Sequence, residues 1–311
     1  MTSALQPPPD VALPDLALLG MPETDPDGPA VLGHGDRIAP GYRVLEHLNR
    51  GNDYDTYDAW SDARFARCLV KTLRPDAVDD RSARRHLLLE GRLLTTLTHP
   101  HLVRGYELIR PPRPQPPVLV LETLAGATLG HVLDDMGQRL PLGALGHLGR
   151  HLCSVVRYLH GYGYLHMDIK PGNIISNGGR AQLIDLSLAR PPGPSSAGNG
   201  TPAYMSPEQA RGGDLGPPVD VWGVGLVLYE AATLHQPFAR GPHSRAVSGS
   251  CTRPADRPGE RYPQLVRRAP RVRARRRLPR PVAEVIDACL SGAAGDRPTL
   301  AELDRVLGTV T

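Results

Sequence analysis

Two side chains stand out chemically in this sequence. Of its 36 basic residues only Lys71 and Lys170 are lysines, and the other 34 are arginines. Arginine serves wherever a generic positive charge suffices. A retained lysine therefore marks a place that needs a compact ammonium on a flexible stem rather than a planar fork. Chance survival under GC-rich codon usage would scatter the two anywhere. Instead Lys71 ends Cys68-Leu69-Val70-Lys71, and Lys170 lies in His166-Met167-Asp168-Ile169-Lys170-Pro171-Gly172-Asn173. Both contexts suit the handling of phosphate, which asks for cations around its oxygens and, for transfer to a hydroxyl, a carboxylate base nearby. Asp168 supplies a carboxylate two residues before Lys170. Another, Asp185 in Leu183-Ile184-Asp185-Leu186-Ser187, follows twelve residues after Asn173.

The elements that must position these groups change character along the chain. Residues 1–40 are rich in Pro, Asp and Gly without periodicity, which predicts a disordered tail with a short docking segment at residues 16–19. Strand patterns follow at residues 41–45, 56–60 and 67–73, the last carrying Lys71. Helical spacing runs over residues 81–97, with Leu87, Leu94 and Leu97 apolar and a stop at His99-Pro100. The proline cluster at 111–117 predicts an exposed turn, and residues 118–121 a buried strand. Beyond Gly126 the pattern is helical: an amphipathic helix over 145–164, a nearly all-apolar one over 219–233, and final helices over 282–290 and 300–307. Strands first and helices after predict a two-lobed α+β protein.

From residue 41 to 307 the chain resembles the eukaryotic-like serine/threonine protein kinases of bacteria. The resemblance rests on the motifs above together with Glu90-Gly91-Arg92-Leu93-Leu94-Thr95-Thr96-Leu97-Thr98-His99-Pro100, Gly200-Thr201-Pro202-Ala203-Tyr204-Met205-Ser206-Pro207-Glu208, Asp220-Val221-Trp222-Gly223-Val224-Gly225 and Gly295-Asp296-Arg297-Pro298-Thr299. It implies a kinase domain over 41–309, with a small β-rich N-lobe (41–122) and a larger helical C-lobe (126–309). It further implies transfer of the γ-phosphate of ATP to a serine or threonine hydroxyl of a protein substrate, with Mg2+ or, in its place, Mn2+. By resemblance Asp168 would orient the hydroxyl and accept its proton, and Lys170 would sit near the γ-phosphate. Asn173 and Asp185 would hold the metal. Lys71 would contact the phosphates and pair with Glu90, while Leu48, Gly51, Thr56, Leu69, Glu122 and Ile175 would line the nucleotide pocket. Asp220 would anchor the catalytic-loop backbone, and Arg297 would pair with Glu208.

The chain also departs from the family. The glycine-rich loop reads Leu48-Asn49-Arg50-Gly51-Asn52-Asp53-Tyr54-Asp55-Thr56, keeping one glycine of three and adding carboxylates at Asp53 and Asp55 that would oppose phosphate if they pointed inward. Leu69 replaces the usual alanine, Ser187 a glycine, and Met167 the arginine that commonly binds a phosphorylated activation loop. The loss of that arginine predicts activity less dependent on such a phosphate. These departures leave a pseudokinase acting as a signalling or scaffold binding module as the alternative.

Bulk properties exclude other classes. No run of 18 apolar residues and no basic-then-apolar leader is visible, so neither a membrane span nor a secretion signal is expected. Four scattered cysteines predict reduced, packed thiols in a cytoplasm. Eleven arginines crowd residues 253–280, with Arg253 and Arg280 the outermost, in what reads as a helical region of the larger lobe. Tyr262 is the sole aromatic there, so nucleic acid is not the expected partner; a solvated basic face or an acidic protein partner is.

Overall fold

The computed structural model of the protein describes residues 29–239 and 258–311. The first part is a curled antiparallel sheet of β1 (Arg37–Ala39), β2 (Tyr42–Arg50), β3 (Tyr54–Ser61), β4 (Ala66–Leu73), β5 (Gly105–Ile109) and β6 (Val118–Leu121), in the order β1-β2-β3-β4-β6-β5. Alternation along the strands gives the sheet two different faces. One packs Ala59, Cys68, Val70, Val118 and Val120 with Tyr42 into a small cluster, and the other sends Leu73, Leu119 and Leu121 into the main core. Helix α1 (Arg81–Thr96) starts at Asp80, whose carboxylate accepts from the N–H groups of Ser82 and Ala83, as an N-cap should. It lies tightly on β5: a Cβ on Gly91 would stand 2.6 Å from Leu108.

The chain then crosses into the helical part through β7 (Ala127–Thr128), α2 (Leu129–Asp134) and α3 (Leu142–Gly161). Strand β8 (Ile174–Asn177) pairs with β7 on one side and β9 (Arg180–Leu183) on the other, as a three-stranded sheet. β10 (Gly193–Ser195) pairs with β11 (Gly213–Leu215), flanking α4 (Pro207–Arg211). Helix α5 (Pro218–Thr233) is buried at every position from Val219 through Ala232, as its apolar sequence demands. After α6 (Pro258–Arg261), helices α7 (Arg280–Cys289) and α8 (Leu300–Leu307) close the lobe, α7 against α5 and α8 against α3.

Two expectations are corrected. The ordered part begins before residue 41, because β1 pairs with β2 through Arg37 and Arg43. Only residues 1–28 of the expected tail, with the docking segment at 16–19, lie outside the described residues. Second, the described part of the arginine-rich stretch has only the four-residue α6 and single 3-10 turns at Pro263–Leu265 and Val272–Ala274. Pro263, Pro270 and Pro279 recur too often for a longer helix to survive there. Arg253 lies outside the described residues, whereas Arg280 opens α7. The segment at 191–200 is held in part by the β10–β11 pairing.

Candidate active site

Lys71 is placed by cross-strand register: on β4 it stands opposite Thr56 of β3 and Leu119 of β6, on the face turned to α1. From α1 the buried Glu90 meets it, with Lys71 Nζ 2.9 and 3.2 Å from the two carboxylate oxygens. The same ammonium reaches Asp185 Oδ1 at 3.1 Å. The Leu186 N–H donates to Glu90 Oε1 at 3.3 Å, so helix, strand and the Asp185 loop are tied at one point. Burial alone would push the Lys71 ammonium down, but Asp185 and then Glu90 outweigh it and its pKa is raised. Burial likewise lifts Asp185, yet Lys71 and hydrogen bonds from Ser187 hold it ionised, well below the ordinary carboxylate range. Glu90 is pushed up to about 7 by burial, against the pull of Lys71. Asp185 and Met167 both adopt left-handed backbone conformations, φ 65° and 74°. For non-glycine residues this strain costs of order 1–3 kcal/mol each and collects at functional sites.

Asp168, Lys170 and Asn173 converge on the turn before β8. Lys170 Nζ lies 2.8 Å from Asp168 Oδ2 and donates to Thr201 Oγ1 at 2.7 Å. Asp168 Oδ1 accepts the Thr201 N–H at 3.1 Å, so two oxygens of one carboxylate are oriented from two sides. The Asn173 amide nitrogen donates to the Asp168 carbonyl (2.9 Å) and to Oδ2 (3.2 Å). That leaves the Asn173 side-chain oxygen for another partner. With the partly exposed Asp185 carboxylate it makes an all-oxygen donor set, which fits a hard cation such as Mg2+. The turn is pinned from below by buried Asp220, which accepts the N–H groups of His166 and Met167 at 2.8 and 2.9 Å and a bond from His160. Gln209, not singled out from the sequence, donates to the Met167 carbonyl at 2.8 Å.

The expected pocket lining is uneven. Leu48 and Ile175 are buried, and Leu69 faces Leu121 across the β4–β6 pair. The Glu122 side chain is committed to the fold, accepting the Arg104 N–H at 2.7 Å, and its own N–H donates to the Arg104 carbonyl at 3.0 Å, so neither is left for a ligand. Beside it the buried Thr123 hydroxyl has no partner, an orphaned polar group at the crossing between the lobes. In the glycine-poor loop the Gly51 N–H donates to the Tyr54 carbonyl at 2.8 Å, closing a tight turn. Asp55 turns away: it is buried on the opposite face, gripped by Arg50 at 2.8 and 3.0 Å and touched by His47. Asp53 lies toward Asp80 and His86 near the start of α1, and burial raises its pKa. Tyr54, at the position of the third glycine, is the unexpected residue. Its ring sits 4.8 Å from Lys71 Nζ and its hydroxyl donates to the Ala83 carbonyl in α1. The period-two alternation of β3, placing Tyr54 on the same face as Thr56, was the available signal.

Two departures acquire physical reasons. Met167 is buried in an apolar cluster with Leu165, Leu215 and Val219, where an arginine would leave a charge unpaired. The Ser187 hydroxyl adds a side-chain hydrogen bond to Asp185 beyond the backbone N–H at 3.0 Å that glycine would also supply, and so helps hold that carboxylate ionised. The scaffold pair is also made: Arg297 donates to both Glu208 oxygens at 2.6 and 2.8 Å, with its side chain fully buried over the Trp222 ring.

With this geometry in view, comparison with known proteins is direct. The protein kinase domain matches residues 42–306. The serine/threonine-protein kinase PkaA of Streptomyces coelicolor is 29% identical over 250 residues, covering 78% of this chain and 42% of that protein. PknB of Mycobacterium tuberculosis, also a serine/threonine-protein kinase, is 33% identical over 214 residues, covering 65% of this chain and 34% of PknB. The chain thus spans less than half the length of these curated relatives. The crystal structure of the M. tuberculosis PknI kinase domain covers 90% of this chain and is itself wholly covered, with TM-score 0.67 and 20% identity, which establishes the two-lobed fold. By the extent of the domain match, the chain belongs to the protein kinase family.

Proposed function

We propose that this protein is a serine/threonine protein kinase that passes the γ-phosphate of ATP to a protein hydroxyl. The observation that carries the proposal is Lys71 Nζ in contact with Glu90 and Asp185 at once, which assembles strand, helix and metal-side carboxylate into one site. Asp168 is the group that accepts the hydroxyl proton as the hydroxyl oxygen bonds to the γ-phosphorus and the bond to the bridging oxygen breaks, releasing ADP. Lys170 lies beside it for the phosphoryl oxygens. Asn173 and Asp185 would hold Mg2+, or Mn2+ on the same oxygens, to neutralise phosphate charge. Leu48, Gly51, Thr56, Leu69, Glu122 and Ile175 take the nucleotide with Lys71 and Glu90. Nothing in the site or the relatives favours the alternative of a pseudokinase binding module.

A partner of acidic character suits the arginine-rich stretch. Residues 253–280 carry 11 arginines against Asp256 and Glu260, a net +9, whereas the whole chain is +4, so the remainder is −5. Such a concentration of basic residues steers acidic proteins and does so less as salt rises. Among the described residues no helix is long and apolar enough to cross a membrane. A cytoplasmic setting suits the buried free thiols of Cys68, Cys153 and Cys289. The proposal is tested by incubating the purified protein with labelled ATP, Mg2+ and a generic protein substrate, followed by phosphoamino-acid analysis. Label on serine or threonine is expected; its absence with every substrate and metal tried would overturn the reading.

A further inference from the structure

Away from the Asp168 site, α3 and α8 border a cavity of about 380 Å³. Helix α3 lines it with His147, Arg150, His151, Ser154 and Arg157, and His101 and Asp304 complete the rim. The hydrogen bonds fix where the protons point. The Ala181 N–H donates to His151 Nδ1 at 3.3 Å, so neutral His151 carries its proton on Nε2. The His101 N–H donates to His99 Nδ1 at 3.1 Å, so His99 donates from Nε2 to Ser154 Oγ at 3.2 Å. The Ser154 hydroxyl proton is then free to be given to something else. His101 donates from Nδ1 to the Ala181 carbonyl at 2.9 Å, and its ring stacks on His151 with centroids 4.0 Å apart. The one carboxylate, Asp304, is matched by Arg150 at 3.1 Å, and Arg157 makes no ion pair among the described residues.

The cavity therefore offers the His151 Nε2–H, the Ser154 hydroxyl and the Arg157 guanidinium as donors, and its acceptor at His101 Nε2 becomes a donor once that ring is protonated, the inverse of what a cation needs. Among the described residues no group of three His, Cys, Asp or Glu is arranged to hold a metal ion. We propose that this cavity binds a phosphoryl-type dianion, as free phosphate or as a phosphorylated side chain. The imidazoles tune it. Burial, then His101, His147, Arg150 and Arg180, depress His151 to about 4, and burial first lowers His99 and His101 as well. An anion facing these groups, with Arg157 and Tyr158 on α3 and Asp304 on α8 as the other ionisable neighbours, favours the charged imidazole. Its binding takes up protons and strengthens as pH falls.

The test is calorimetric titration of the full chain with sulfate, inorganic phosphate and a phosphoserine peptide, alongside Arg157→Gln and Ser154→Ala variants. Sulfate stays a dianion throughout, so it reads the protein's protons alone. Saturable binding is expected, weakened about fivefold or more in Arg157→Gln, with sulfate tightening by up to about tenfold from pH 7.5 to 6.5. A peptide that binds more tightly than phosphate identifies a phosphorylated protein as the source, and equal affinity identifies the free ion. No saturable binding, or binding unchanged in both variants, overturns the proposal. Basal phosphoryl transfer is expected to be unaltered in these variants, so the outcome is independent of the kinase reading.

Discussion

At Lys71 three carboxylate oxygens from two elements converge on a single nitrogen, at 2.9, 3.1 and 3.2 Å. A tetrahedral ammonium can serve all three, whereas a planar guanidinium is broader and directs its donors into one plane. Lys71→Arg is therefore expected to displace Glu90 or Asp185 by about 1 Å and to lower transfer on the order of 100-fold. A steady-state assay showing equal activity for the arginine variant would reduce the two-lysine signal to coincidence. That signal was legible because arginine had filled every other basic position. The role of Tyr54 was not legible, because a tyrosine in a glycine position reads as loss, whereas in the fold its ring packs on the lysine and its hydroxyl bridges to α1.

Among the elements, the β2–β3 turn is the one expected to limit nucleotide affinity. The Gly51 N–H is already spent on Tyr54, and Tyr54 crowds Lys71, so few backbone donors remain for phosphates. Calorimetry is expected to give a Mg-ATP Kd of roughly 0.1 to 1 mM, about −4 to −5.5 kcal/mol. An Asn49→Gly, Tyr54→Gly double variant should bind more tightly; unchanged or weaker binding would show that the loop is not what limits affinity. The segment from Asp185 to Glu208 is held by the β10–β11 pairing and by apolar Met167 rather than by a phosphate-reading arginine. Replacing Ser195 and Ser196 together by alanine should accordingly change activity less than about threefold. A drop beyond tenfold would mean that another basic group reads a phosphate there.

The Glu208–Arg297 pair belongs to the same scale, because it bolts the end of that segment to the turn before α8. Arg297→Met leaves Glu208 buried without its partner and should cost about 3–5 kcal/mol in denaturant unfolding. Burial raises the Glu208 carboxyl, but the hydrogen bonds and charge of Arg297 more than reverse this and hold it below its ordinary 4.5. A lowered carboxylate stabilises above its unfolded value. The penalty of the variant should thus be smallest at acid pH, grow as pH rises through the lowered native value, and be full only above the raised value that burial gives the unpaired carboxyl. A penalty independent of pH would show that packing, not the ion pair, sets it.

For the molecule as a whole, elements with an unbroken apolar run or a clear stripe could be read, the four-residue β6 among them, and short strands without such a pattern could not. Helices α1 and α5 announce themselves by an amphipathic stripe and an unbroken apolar run, and lie within a few residues of the expected bounds. β5, β8 and β9 span only four or five residues each and borrow their conformation from neighbours, so no local pattern marks them. The arginine-rich stretch misled because lobe context suggested helix where recurring prolines dictate turns. At the candidate site, short polar motifs made it legible that Lys71, Glu90 and Asp185, and likewise Asp168, Lys170 and Asn173, would lie together, whereas the commitment of the Glu122 side chain to Arg104 depends on a loop contact no motif encodes.

Asp168, held between Lys170, Asn173 and Thr201, is the residue proposed to accept the hydroxyl proton in phosphoryl transfer. The measurement that tests it most directly is single-turnover transfer from saturating Mg-ATP by the native protein and by Asp168→Asn, with both shown to be folded by circular dichroism. The account predicts transfer by the native protein and a loss of roughly 10²–10⁴-fold in the variant, with nucleotide binding retained. Transfer by the variant within threefold of native would contradict it.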